Sequence, residues 1–195
     1  MKAIRRIEGD QVYLAPMDMS EALDYVRWLN DPETMIFVQS YNQIYNRVNE
    51  EQYLKNVLEK GEPQFSIHLC KDDSHIGGCG LINLDWINRR TEIGIMIGES
   101  AFRNHGYGQE AIHILLDYIF NVMNLNSVSL RHYEYNHRAS RCYEKCGFKP
   151  AGHIRQARLM NGQFYDEIIL DILAQDFTGS FYKARLQNLL KDQER

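Results

Sequence analysis

Asn136-His137-Arg138-Ala139-Ser140-Arg141-Cys142-Tyr143-Glu144-Lys145-Cys146-Gly147-Phe148 follows a run rich in β-formers, residues 127–135, and reads as a short helix over 138–146. Gly147 ends that helix where a left-handed residue commonly stands. Upstream, Arg103-Asn104-His105-Gly106-Tyr107-Gly108-Gln109 closes a strand over 91–97 and opens a long helix over 106–123. Glycine at such a junction lets the backbone approach a ligand with no Cβ in the way. The helix start presents unpaired N–H groups and the positive end of the macrodipole. Together these make a pyrophosphate cradle, to which Arg103 can add a charge-assisted contact. The glycine pair alone is equally an ordinary strand-to-helix turn. No Gly-Lys-Ser/Thr follows, so this is not a Walker loop, and the third glycine of the dinucleotide fingerprint is missing.

The flanking segments supply the rest of a sheet. Residues 91–97 alternate, with Ile93, Ile95 and Ile97 on one face; strands over 75–84 and 64–70 precede them, separated by turns at 88–90 and 71–74. The three make an antiparallel meander in which Gly77, Gly78 and Gly80 mark a bulge or a close backbone contact. Val12-Tyr13-Leu14 reads as a first strand. A helix over 19–29 carries an apolar stripe of Ala22, Leu23, Val26 and Leu29 and stops at Asn30-Asp31-Pro32-Glu33. A second helix, over 49–58, has Asn49 as its cap and turns Tyr53, Leu54, Val57 and Leu58 inward. The long helix presents Ala111, Ile112, Leu115, Leu116, Ile119 and Phe120 as one stripe. Strands over 153–160 and 163–173 form a hairpin about Asn161-Gly162. Residues 180–191 read as an amphipathic helix for packing or dimerisation. With no repeat or linker, one domain over 1–195 is expected, with 174–195 as a C-terminal extension.

The 195 residues, 44% hydrophobic and 25% charged, suffice to bury one core. No apolar run approaches the roughly 20 residues of a membrane helix, and residues 1–10 lack the apolar stretch of a signal peptide. A cytoplasmic protein with no membrane partner is therefore expected. A net charge of -4 with scattered Arg and Lys argues against nucleic acid and mildly favours a cationic partner. Cys142 and Cys146 share a helix face, but with Cys70 and Cys79 they supply no metal-ligand spacing; reduced core thiols and no metal are expected.

In order and spacing, Arg103-x-x-Gly106-x-Gly108 and Asn136-x-x-Ala139-x-x-x-Tyr143-x-Lys145-x-Gly147-Phe148 resemble the two signature segments of the GCN5-related N-acetyltransferase (GNAT) superfamily. Trp28-Leu29-Asn30-Asp31-Pro32-Glu33-Thr34-Met35 and Met160-Asn161-Gly162-Gln163-Phe164-Tyr165 resemble its branch of ribosomal-protein N-terminal and spermidine acetyltransferases. The resemblance spans nearly the whole chain. It implies an α/β fold whose mixed, mostly antiparallel sheet is flanked by helices and splayed at the acetyl-CoA site. It implies acetyl-CoA as co-substrate, its pyrophosphate cradled by Arg103, Asn104, His105, Gly106, Tyr107 and Gly108. Asn136, Ser140 and Tyr143 form a second wall, and Ile95, Met96 and Ile97 offer main-chain N–H groups to the pantetheine and thioester.

The implied activity is direct acetyl transfer to a primary amine in a ternary complex. It requires loss of an amine proton, stabilisation of an oxyanion and departure of a thiolate. Tyr143 matches the family tyrosine near the thioester sulfur. Full proton transfer from a phenol near ~10 to a thiolate near ~8.5 costs about 2 kcal/mol, so a hydrogen bond to the leaving sulfur suffices. Glu92 is the candidate general base, through water. Glu33 and Tyr41 are the candidate acceptor contacts. Glu33 resembles an acidic position of polyamine acetyltransferases, and the aromatic segment 37–45, with Tyr41 and Tyr45, can close over an amine. A protein N-terminus, a polyamine, and an amino sugar, amino acid or antibiotic amine are all open as acceptors. Monomer and homodimer are both open, and a non-catalytic acyl-CoA-binding sensor is the alternative function.

Overall fold

The computed structural model describes residues 3–38, 41–179 and 191. Apart from Lys191, the helix expected over 180–191 lies outside the described residues. Among the described residues eight strands build one sheet: β1 (Ile7–Glu8), β2 (Val12–Pro16), β3 (Gln64–Leu69), β4 (His75–Asp85), β5 (Arg90–Ile97), β6 (Ser127–Tyr133), β7 (Lys149–Met160) and β8 (Gln163–Leu173). Their spatial order is β1-β2-β3-β4-β5-β6-β8-β7. All neighbours are antiparallel except β5 and β6, which run parallel. The mixed, mostly antiparallel sheet implied by the resemblance is thus present.

The described helices are α1 (Ala22–Leu29), α2 (Pro32–Met35), α3 (Arg47–Glu59), α4 (Tyr107–Asn121) and α5 (His137–Lys145). None is long and apolar enough to cross a membrane. The centre of the core is α4, which packs on β1, β2 and β5. Its expected stripe is buried in full, joined by Ile114. Each of its Ile, Leu and Phe side chains contributes about 1.5–3 kcal/mol of burial.

The N-terminal helices differ from the expected pattern. A capping box of Asp18 and Glu21 starts a 3-10 turn before α1. The buried face of α1 is Ala22, Tyr25 and Trp28, while Leu23 is 55% exposed. The reason is volume: the Tyr25 hydroxyl and the Trp28 ring occupy the space that a Cβ at Gly78 and at Gly98 would fill. Helix α3 begins earlier than expected, capped by Asn46, whose side chain accepts from Asn49 N. Its buried residues are Glu50 and Leu54; Tyr53 (60%) and Leu58 are exposed. The stop at Asn30–Glu33 opens a one-turn helix: Asp31 is its N-cap, the side chain accepting from Glu33 N, and Pro32, which has no N–H, takes the first helical position.

Close contact explains the glycines of β4. Gly77 pairs with Ile97, and a Cβ there would strike the Met96 carbonyl. A bulge lies there as well: Ile67 pairs with Gly77 but His68 pairs with His75, so the extra residue Ile76 adjoins Gly77, and a second register shift falls between Ile82 and Asp85. The hairpin between β7 and β8 turns at Asn161 (φ 49) and Gly162 (φ 77), both left-handed as a tight type I′ turn requires.

A polar cluster under α1 ties the first helix to the sheet. His68 Nε2 lies 3.1 Å from Glu21 Oε1 and Nδ1 lies 3.1 Å from the Asp73 carbonyl. Two acceptors facing the two ring nitrogens favour the imidazolium, which has two donors. Burial disfavours its charge, but the Glu21 hydrogen bond and the Asp73 carbonyl outweigh that and raise its pKa above 6.5. For Glu21, burial is likewise outweighed by the bonds from His68 and Ser66, and its pKa falls below 4.5. The raised His68 stabilises the fold below its unfolded value and loses that contribution as pH rises. The lowered Glu21 stabilises above its unfolded value and loses that contribution as pH falls. A double-mutant cycle of Glu21→Gln and His68→Gln, read by urea unfolding, should show coupling on the order of 1–2 kcal/mol near pH ~5.5 that shrinks on both sides.

Candidate active site

Strands β5 and β6 are paired only at Arg90↔Ser127, Thr91↔Val128 and Glu92↔Ser129, and then part. A cavity of about 800 Å³ occupies the split. Ile95, Met96 and Ile97 line one wall, and Asn104, Gly106 and Gly108 continue it to the start of α4. Gly106 is the N-cap of α4 at φ 85, and no side chain caps the helix. A Cβ at Gly106 would meet nothing, so what glycine supplies there is the backbone angle. The uncapped first turn and the free edge of β5 leave main-chain donors for a ligand rather than for the protein.

The opposite wall is α5. Asn136 caps it, its Oδ1 accepting from Ala139 N at 3.2 Å, and also lines the cavity. Tyr143 lines the cavity while only 8% exposed, between the rings of His132 and Phe148. Burial pushes its phenol well above the ordinary value, so it stays a neutral hydrogen-bond donor. Arg138, Arg141 and Lys145 line the same wall. Burial first, and the nearby Arg103 charge second, hold the Arg138 guanidinium below its ordinary pKa, a deficit that a bound anion relieves. This basic wall, the uncapped helix and the open strand edge fit the phosphates and amide-bearing arm of a coenzyme A thioester.

Several expected contacts are placed differently. The Arg103 guanidinium lines the cavity but is engaged within the protein: Nε donates to Ile97 O at 3.2 Å, and Nη2 donates to Gly98 O at 2.7 Å and to Thr34 Oγ1. It braces the end of β5 against α2. Glu33 lies 4.0 Å from Arg103 with its side chain 76% exposed, outside the cavity lining. His105 and Tyr107 stack on one another, and Ser140 donates to Glu144 Oε1 at 3.0 Å; these three are also outside the lining. Tyr41 is an anchor of the 37–45 segment: its hydroxyl donates to Leu159 O at 2.9 Å and its ring lies under Arg158. Tyr45 is the tyrosine of that segment that lines the cavity. Glu92 lines it too, with both carboxylate oxygens 3.1–3.2 Å from Arg131 Nε, and Arg131 continues to Glu167 at 3.3 Å.

The sequence reading passed over the three cations of α5 and Glu50 of α3. Arg138, Arg141 and Lys145 look like the solvated face of a polar helix. Glu50 and Glu51 look alike, as first-turn acids favoured by the helix dipole. Only the packing distinguishes them.

The family model of the acetyltransferase (GNAT) domain matches residues 11–149, and the chain belongs to that family. The spermidine N(1)-acetyltransferase of Escherichia coli (strain K12) is 27% identical over 182 residues, covering 92% of this chain and 95% of that protein. A putative ribosomal N-acetyltransferase of Bacillus subtilis (strain 168), YdaF, is 31% identical over 111 residues, 57% of this chain and 60% of its own. The spermidine N-acetyltransferase of Vibrio cholerae, solved with CoA and spermine, superposes with a TM-score of 0.73 at 25% identity, over 86% of this chain and 98% of that one. The protein is accordingly an N-acetyltransferase, and the family's acyl donor is acetyl-CoA.

Gly106→Ala forces an L-residue into the left-handed region at a cost of about 1 kcal/mol. It should lower the melting midpoint by about 3 °C. Titration calorimetry should show CoA binding weakened several-fold as the first turn of α4 tilts.

Proposed function

We propose that this chain transfers the acetyl group of acetyl-CoA directly to a primary amine bound in the same cavity. The observation that carries the reading is the single space enclosed by the open edge of β5, the uncapped start of α4, Tyr143 and the tyrosine-bearing segment 43–45. Donor and acceptor walls face one volume, which supports a ternary complex over a covalent relay.

Acetyl-CoA supplies the activated thioester. The β5 edge at Ile95–Ile97 and the Gly106–Gly108 turn orient the donor, and Tyr143 donates a hydrogen bond to the departing sulfur. As the amine nitrogen bonds to the acetyl carbon and the C–S bond breaks, one amine proton must leave. Glu92 takes it through a water held at the carboxylate lone pairs that the shared Arg131 Nε–H leaves open. Arg103, bonded to the end of β5, and Asn136, capping α5, hold the two walls. Relatives named as spermidine acetyltransferases, matched over most of this chain, support a polyamine-like acceptor over an amino sugar. The protein's acidic balance and the cavity-lining Tyr45 agree with a cationic acceptor.

Tyr143→Phe keeps the ring packing and removes only the donor. Thiol release from acetyl-CoA with spermidine should fall about 10²-fold in kcat, with the KM for acetyl-CoA within a few-fold of wild type. Unchanged turnover would remove Tyr143 from the mechanism.

A further inference from the structure

We infer that Glu50 is the anionic residue of the acceptor subsite, where, with Tyr45 and Tyr53, it receives the ammonium of the amine substrate. The inference rests on the acetyl transfer proposed above and assigns the acceptor wall of that site.

Glu50 is 2% exposed and lines the cavity beside Tyr45 and Tyr53. Its direction is set by packing. One turn further along α3, Leu54 is fastened into the cluster of Ala22, Tyr25 and Trp28, so the same helix face carries Glu50 inward. Among the described residues none donates a hydrogen bond to its carboxylate or forms an ion pair with it. The comparable acids are all matched: Glu21 by Ser66 and His68, Glu92 by Arg131, and the neighbouring Glu51 by Arg47 at 2.6 Å. A buried carboxylate without a partner is costly to keep, and a fold retains one where a ligand completes it. Burial alone raises its pKa; at Tyr53 burial first, and the Glu50 charge second, raise the phenol.

The surroundings specify the ligand's sign and shape. The cavity's arginines near the strands are already engaged, Arg103 with carbonyls and Thr34, and Arg131 with two carboxylates. The remaining cations stand on α5, where the donor's phosphates belong. The α3 wall is therefore short of one positive charge. Asn30 holds the Tyr45 backbone with two hydrogen bonds, its Nδ2 donating to Tyr45 O at 2.8 Å and its Oδ1 accepting from Tyr45 N at 3.1 Å. Tyr45 is thereby fixed on the cavity rim beside the carboxylate. An ammonium offers three donors and a compact charge, matched by one carboxylate and flanking aromatic rings.

Glu50→Gln keeps the volume and removes the charge. In thiol-release assays with spermidine, the spermidine KM of E50Q should rise on the order of tenfold or more, while the KM for acetyl-CoA stays within about twofold. Glu50→Asp should recover part of the loss. E50Q should also melt at or above the wild type, since a desolvated charge has gone. An unchanged spermidine KM, or a lowered melting point with unchanged KM, overturns the Glu50 assignment and leaves the proposed acetyl transfer standing. If the wild type releases no thiol with spermidine, the proposed function falls on that acceptor. Calorimetric titration of spermidine into the CoA-loaded proteins then decides Glu50: binding by wild type and not by E50Q supports it, and equal binding or none overturns it.

Discussion

The structure depends on the early end of the β5–β6 pairing. Three residue pairs hold the two strands in parallel, after which each keeps one complete edge and gives up the other. Strand β5 stays on β4 as far as Ile97, and β6 stays on β8 as far as Tyr133. Backbone groups that a continuous sheet would satisfy internally are left facing a cavity, and a buried backbone donor needs a partner. Gly77 keeps the β4–β5 edge close enough to hold the open strand in place, because its missing side chain admits the Met96 carbonyl. The helices on either side of the split then acquire their roles by position: α4 starts at its mouth, and α5 follows β6 and walls it.

The charges of the cavity divide into those the protein uses and those it leaves. Arg103 and Arg131 line the space, but their donors are taken by carbonyls, a threonine and two carboxylates. They stiffen the walls. Arg138, Arg141 and Lys145 line the cavity from α5 and Glu50 lines it from α3, the donor and acceptor walls of the proposed ternary complex. Walls with opposite signs orient two substrates before any chemistry occurs, and proximity of that kind is a large share of what an acyl-transfer site contributes.

Much of this was legible in the chain. The glycine-bearing junction at 103–109 and the Asn136–Phe148 segment resemble the two walls of one site in sequence, and the structure brings Gly106, Asn136 and Tyr143 to one cavity. Helix α4 followed its stripe because a fully apolar face has one way to be buried. The N-terminal helices did not follow theirs. In α1 an aromatic pair docks over Gly78 and Gly98, leaving Leu23 in solvent, and in α3 an acid takes an inward position. Helical periodicity gives a face and its angle; it carries no information on which neighbouring face has a glycine-sized gap to fill.

Local chemistry in the chain was enough for the left-handed glycines at 147 and 162 and for the hairpin at Asn161, whereas the left-handed angle at Gly106 and the capping of α5 by Asn136 became visible only in the structure. The sequence by itself also carried the family through motifs whose spacing is a property of the chain. The partners of long side chains were decided in three dimensions. Arg103 reaches Gly98 and Thr34, Tyr41 reaches Leu159, Glu92 meets Arg131, and Glu50 meets no described donor. Apart from Gly98, these partners lie tens of positions away along the chain and are brought within hydrogen-bond reach only by the fold. Whether a charged side chain braces the fold or waits for a ligand is a question of what surrounds it, and only the packed structure contains that.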